Sequence, residues 1–396
     1  MITIDQLEQL RAETPGCTRV NHLNNAGSAL PPLPVLDIMV EYLQYEALTG
    51  GYEAAADFAG AIQGFYDNTS KLINARPAEI AFAYNATDAY NRALSSIPLE
   101  SGDVILTTTD DYVSNQLAFL YLKKHKGIEV LRARQAANGG VDVSDLVQLM
   151  DAKKPKVVAV THVPTSSGLV QPVYEIGKHC RERNVWYLVD ACQSAGQLPL
   201  DVQSMGCDFL SATFRKFLRG PRGAGFLYTS QRVLDQGLEP AYPDLRGSQW
   251  TGADTYLPGP DAKRFELWEK SYATVLGSSA AAKYANKVGM DAIAHRVQHL
   301  AAQLRKGLSG IPGVRVLDQG PELCGIVTFY TATLPLTEIK DALRQRGINA
   351  ATGSVENAVI DLQTKGVPGI IRLSPHYYNT EGEIDQVVFA LQQILK

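Results

Sequence analysis

Residues 156–191 read KVVAVTHVPTSSGLVQPVYEIGKHCRERNVWYLVDA, and this stretch decides the fold. Its ends, KVVAVTHV and VWYLVDA, are near-continuous apolar runs of strand length, and VYEIGKHCRERN between them reads as a helix. A strand without polar alternation has both faces covered, and a strand–helix–strand order makes the two strands parallel. The same rhythm runs upstream. EIAFAYN, DVILTTT and IEVLRAR read as strands, and TDAYNRALSSI, NQLAFLYLKKHK and DVSDLVQLMD as helices. The fold class is therefore α/β, with a mostly parallel sheet between helices, and function is expected at the strand C-terminal ends.

Outward from this core the pattern changes. PPLPVLDIMVEYLQYEALTGG opens with prolines and stops at Gly50 and Gly51, as a lead-in helix does. After residue 270 the chain turns helical through AAAKYANKVGMDAIAHRVQHLAAQLRKGL. VRVLDQ, CGIVTFY, LTEIKDALRQRG, IIRLSP and EIDQVVFALQQILK then make a small α+β unit. The expected division is a large domain at 31–270 and a small C-terminal domain at 271–396, which residues 1–30 join.

With 396 residues, 45% hydrophobic and 20% charged, the chain can bury a sizeable core. The net charge of -4 carries no cationic excess, which argues against a nucleic-acid partner. The start, MITIDQLEQLRAETPG, lacks a basic and apolar leader, and no run of ~18 apolar residues occurs, so no membrane role and a cytoplasmic location are expected. Five scattered cysteines, Cys17, Cys180, Cys192, Cys207 and Cys324, form no C-x-x-C pair and no metal-ligand spacing. Reduced, mostly buried thiols and no metal are expected.

The chemistry centres on SATFRKFLRGPRGAG, residues 211–225, where Lys216 sits between Arg215 and Arg219. A basic run alone reads as a solvated turn. About 25 residues earlier, however, VWYLVDACQSAGQ ends an apolar strand on Asp190. A strand-end acid alone is often a helix cap. Together, a strand-end Asp and a lysine in a Gly-rich turn are what a pyridoxal phosphate enzyme needs: the lysine for a Schiff base, the acid for the ring nitrogen.

These two segments resemble the active-site region of class V aminotransferase-like enzymes of fold-type I. That group holds cysteine desulfurases, isopenicillin N epimerase-like proteins and carbon–sulfur lyases. Further pieces occur in family order: LNNAGSALPP, AYNATDAYN, DDYVSN, THVPTSSGLVQP and IRLSPHYYNTEGEID. The resemblance implies pyridoxal 5'-phosphate, a seven-stranded mostly parallel sheet, a small α+β domain and a homodimer.

By position, it makes Lys216 the Schiff-base residue, Asp190 the partner of the pyridine nitrogen and Gln193 a donor to the ring hydroxyl. Ala86 and Thr87 offer N–H groups to the phosphate at a helix N-terminus, though an ordinary Thr cap has the same residues. Thr213 and Arg215 add a hydroxyl and a cation. Tyr112 takes the place of a ring-stacking histidine; an exposed loop tyrosine is the alternative. Thr165 replaces an asparagine that many desulfurases carry near the ring oxygen. Arg372 clamps the substrate α-carboxylate, unless it serves a structural ion pair. Asn25 and Ala26 close the site over that carboxylate. Tyr52, with Phe265, Glu266 and Glu269, lines the pocket for the rest of the substrate; GGYEA reads equally well as dimer packing.

Desulfurases need a mobile cysteine beyond the lysine, and the only candidate, Cys324, lies in an apparent strand, while NAATGSVENA holds none. ALTGGYEAAADFAG, the Arg–Lys pair with GPRGAG, and RLSPHYYNT look most like hercynylcysteine sulfoxide lyases of ergothioneine synthesis. The resemblance thus implies a C–S β-lyase acting on a cysteine S-conjugate or its sulfoxide, a small-molecule amino acid, releasing pyruvate and ammonia. The alternatives are a class V aminotransferase or epimerase, a cysteine desulfurase, and a non-enzymatic scaffold or cofactor sensor.

Overall fold

Val157, Val158, Ala159 and Val160 are all buried, as are Tyr187, Leu188, Val189 and Asp190, so neither strand has a solvent face. Uninterrupted apolar runs of this kind can only be satisfied in the middle of a layered fold. The computed structural model describes residues 2–396. Its central sheet has seven strands: β1 (Ile80–Ala83), β2 (Val104–Thr107), β3 (Glu129–Arg132), β4 (Val157–Thr161), β5 (Trp186–Asp190), β6 (Phe209–Thr213) and β7 (Gly225–Thr229). The order is β1-β7-β6-β5-β4-β2-β3. β2 to β6 pair in parallel, and β7 runs antiparallel to both β6 and β1. The sheet is thus α/β and mostly parallel, as its sequence pattern predicts.

β7 is reversed because the chain returns through the loop 214–224, which carries Lys216. Covering helices bring an apolar core to each face, one around Tyr187 and Phe214, the other around Leu188, Phe209 and Phe265. A second, antiparallel sheet follows: β8 (Val314–Val316), β9 (Val327–Thr331), β10 (Ala351–Ser354) and β11 (Gly369–Leu373), in the order β8-β9-β11-β10. The helices Met290–Ser309 and Glu381–Ile394 pack on it through Leu300, Leu304, Ile384 and Val387. The N-terminal Asn21–His22 pairs in parallel with Ile348–Asn349, and Asn24 bridges to Ser374. This stitches the start of the chain to its last third. Among the described residues no helix is long and apolar enough to cross a membrane.

Candidate active site

Asp190 ends β5 and Lys216 follows β6, so neighbouring parallel strands deliver both to one end of the sheet. They line a single cavity, together with Asn85, Ala86, Thr87, Tyr112, Asn115, Cys192, Thr213 and Arg215. Lys216 is buried, its Nζ 3.3 Å from the Cys192 Sγ and 5.9 Å from the Tyr112 ring centre. Two glycines permit this closeness. Gly196 has φ +94, and a Cβ there would stand 2.3 Å from the Phe217 carbonyl carbon, just behind the lysine. At Gly225 a Cβ would stand 2.8 Å from the Asn85 carbonyl carbon, where the helix Ala86–Ser96 begins.

Both oxygens of Asp190 are held. The Cys192 N–H donates to Oδ1 at 2.8 Å and the Asn115 amide to Oδ2 at 3.0 Å. Burial raises its carboxyl above the ordinary range, and the two donors and Lys216 oppose that rise. At the helix start Asn85 caps the Asp88 N–H, and the N–H groups of Ala86 and Thr87 have no partner among the described residues. They face the cavity as an anion cradle. Arg215 lines the same cavity and donates to the Gly27 carbonyl.

Arg372, on β11, donates from Nη1 to the Thr165 carbonyl at 3.0 Å and hydroxyl at 2.7 Å, and from Nη2 to Asn24 Oδ1 at 3.4 Å. Its Nε has no partner, and it makes no salt bridge with the described residues. Burial, helped by Arg215, lowers its pKa to about 10. A desolvated guanidinium without a counter-ion is prepared for an anionic ligand.

Arg219 fixes the lysine turn from the other side. It adopts the left-handed φ of +60, and its N–H donates to the Lys216 carbonyl. Its guanidinium donates to the Leu30 carbonyl at 2.9 Å and to the Tyr377 and Thr14 hydroxyls at 2.6 Å each. The rings of Tyr284, Tyr377 and Tyr378 surround it.

Several positions differ from expectation. The Gln193 amide nitrogen already donates to Thr165 at 2.8 Å and Ala26 at 3.1 Å, leaving Oε1 as the unpaired buried atom, an acceptor rather than a donor. The Thr213 hydroxyl donates to the Ala224 carbonyl, so its hydrogen is committed away from a phosphate. Asn25 is fully buried, donating to the His22 and Ser374 carbonyls and accepting from Tyr378, so it holds the chain; its neighbour Asn24 reaches Arg372. Ala26 donates to the Ser374 hydroxyl and accepts from Gln193.

Phe265 is core, edge-on to Phe209, and Glu266 is a buried anion bound by Lys270, Arg246 and Tyr66. Tyr52 is 79% exposed and Glu269 is also exposed; none of the four lines the cavity. Asp111, Asn115 and Asn24 carry no role in the sequence reading, and Cys192 appears there only among the scattered thiols. Asn115 sits four residues after Asp111 at a helix start, which looks like ordinary polar capping, and its partner Asp190 is 75 residues away.

The residues present fit pyridoxal 5'-phosphate. The cavity joins a buried amine, a buried carboxylate, an aromatic face and free helix N–H groups, and the orphaned Gln193 Oε1 lies buried near Thr165. Comparison with known proteins agrees. The family described as Aminotransferase class-V matches residues 21–387. A probable cysteine desulfurase of Methanothermobacter thermautotrophicus is 29% identical, over 98% of both chains. The apo structure of the cysteine desulfurase from Thermococcus onnurineus superimposes with a TM-score of 0.90 at 25% identity, covering 98% of each chain. The cystine C-S lyase C-DES, solved with its product cysteine persulfide, gives 0.85 at 25% identity, over 96% of this chain and 99% of that one. A second C-DES structure carries glycine covalently linked to its PLP cofactor.

Proposed function

The chain belongs to the class-V aminotransferase family of pyridoxal 5'-phosphate enzymes, and on that premise we propose that it cleaves the carbon–sulfur bond of a cysteine-derived amino acid by β-elimination. The observation that carries the amino-acid part of this reading is Arg372, a buried cation in the field of the cavity-lining Arg215 that lacks a protein counter-ion. The names of the relatives speak for the desulfurase alternative and give no support to hercynylcysteine sulfoxide or to ergothioneine synthesis. The state of Cys324, the one cysteine beyond Lys216, favours elimination. Cys324 is fully buried, and burial pushes its thiol up to about 12, which suits a core side chain and not a mobile nucleophile.

The cofactor, when bound, supplies a carbonyl for the substrate amine and a ring that accepts electrons from Cα. Arg372 takes the α-carboxylate, its Nε and Nη2 forming the free edge of the fork. Lys216, freed by the substrate amine, removes the Cα proton. Asp190 would hold the ring nitrogen and favour its protonated form, and Tyr112 would offer its aromatic face to the ring. The Cβ–S electron pair leaves with the sulfur, and no enzyme thiol takes part. A cysteine S-conjugate and water thus give a thiol, pyruvate and ammonia; from cystine the departing thiol is cysteine persulfide.

The same proposal includes a division near residue 270, supported by the separate four-stranded sheet within 314–373. It also includes a homodimer, supported by exposed Val40, Leu43 and Leu48 on helix Leu33–Thr49 and by exposed Trp250 and Leu257 on the hairpin 248–258.

The test is product analysis with cystine, cysteine, a cysteine S-conjugate and its sulfoxide. Pyruvate equal to the sulfur released is expected. Alanine with sulfane sulfur on the protein would establish the desulfurase, and conversion of the cofactor to its amine form would establish transamination.

A further inference from the structure

Behind Asp190 stands a second carboxylate. Asp111 accepts from the Thr161 hydroxyl at 2.5 Å, the Tyr112 N–H at 2.7 Å, the Gln116 amide at 2.7 Å and the Asn115 amide at 3.0 Å. A longer contact comes from the Thr107 hydroxyl at 3.4 Å. The Asn115 amide nitrogen serves both acids, since its other bond goes to Asp190 Oδ2 at 3.0 Å. Gln116 is held in turn by Arg132, which donates to Gln116 Oε1 at 3.1 and 2.6 Å and so turns the amide NH2 toward Asp111. Thr161 is the register partner of Asp190 on the adjacent strand.

We propose that Asp111, acting through Asn115, is a positioning residue that fixes the aim of Asp190 at the cofactor ring nitrogen and adds a second negative charge behind it. One amide spanning two carboxylates leaves neither free to rotate. A nearby anion favours the protonated form of a basic nitrogen, so the pair strengthens the hold on that proton. Through its bond to the Tyr112 N–H, Asp111 also sets the start of helix Val113–Lys126, and with it the residue on the ring face. The charged and titratable groups around the pair are Asp190, Lys216 and Cys192 on the cavity side, Tyr90 from helix Ala86–Ser96, and Arg132 behind Gln116.

This inference rests on the reading of Asp190 as the ring-nitrogen partner, and its test separates the two. The visible band of purified holoenzyme is titrated from pH 5 to 10, and cofactor affinity is measured by dialysis and reconstitution. In Asp111→Asn the midpoint of the band is expected to fall by about one pH unit, because one nearby anion is lost. Asp111→Glu keeps the charge and is expected to keep the wild-type midpoint. Asn115→Ala leaves the charge but frees Asp190, so affinity is expected to drop at least about fivefold with a smaller midpoint change. Should Asp111→Asn fail to fold, the contrast between Asp111→Glu and Asn115→Ala carries the test. Coloured variants with wild-type midpoints and affinities within about twofold overturn the proposal. A wild type whose band does not respond to Asp190→Asn removes instead the assignment of Asp190.

Discussion

Replacing Arg372 by alanine tests the substrate site at its most exposed assumption. Of the guanidinium edges, Nη1 is committed to Thr165, while Nε is free and Nη2 has only the long 3.4 Å contact to Asn24. A substrate carboxylate would gain two charge-assisted hydrogen bonds there, each worth about 1.5–3 kcal/mol. Release of Nη2 from Asn24 offsets part of this, so about 3 kcal/mol is the conservative figure. At about 1.4 kcal/mol per tenfold, kcat/KM for an α-amino acid falls by roughly a hundredfold or more. Arg372→Lys keeps a point charge and loses the fork, and should fall between the two. The assay is pyruvate release from cystine at several substrate concentrations, with the visible band recorded on the same samples. Arg372 does not line the Lys216 cavity, so the band persists in both variants. Cysteamine, which lacks a carboxylate, serves as the control for cofactor-level damage: it should react with the cofactor equally in wild type and variant. An intact band with kcat/KM within about threefold of wild type would refute the carboxylate assignment.

Cys324→Ala should leave product formation within about twofold of wild type, because a fully buried thiol pushed up to about 12 is not a nucleophile. Loss of all sulfur release in that variant, with the band intact, would make Cys324 the sulfur acceptor. His162 is buried beside β5, and burial alone lowers its pKa from 6.5 to about 4. In the unfolded chain it takes up its proton near 6.5, so folding stability is full above that pH and drains away as pH falls toward 4, by roughly 3 kcal/mol in total. His162→Gln should flatten the pH dependence of the denaturation midpoint in that window, and an unchanged slope would show that other groups carry it.

Much of the fold was legible because apolar runs such as VVAVT and WYLVD admit one arrangement, two covered faces with helical crossovers. Lys216 and Asp190 were legible for a related reason: Asp190 ends a buried strand and Lys216 follows one, and strand ends are fixed points of the architecture. Where the reading faltered, the deciding contacts were remote. Asn24 and Asn25 are neighbours in a polar turn, and only the pairing of that turn with Ser374 selects which one faces Arg372. Phe265 lies in a single 3-10 turn, too short for periodicity to tell core from pocket. The donor assigned to Gln193 was reversed because Thr165 and Ala26 claim its nitrogen. Asp111 reads as helix-start polarity, and its bond through Asn115 to an acid on another strand has no local signature.

Arg219 gives the lysine turn a dependence on the order of synthesis. Its acceptors come from residues 14 and 30, made first, and from residue 377, made almost last. Until the C-terminal tyrosines arrive, a cation in the left-handed conformation has the Thr14 hydroxyl but not that of Tyr377, and the Tyr284 wall but not those of Tyr377 and Tyr378, so the turn is held less firmly in its native shape. The lysine turn is therefore completed only when the last part of the chain is in place. A chain clipped before Tyr377 would retain every residue of the lysine cavity and lose two walls and one acceptor of the arginine behind it, so weaker colour is expected there with the cavity itself intact.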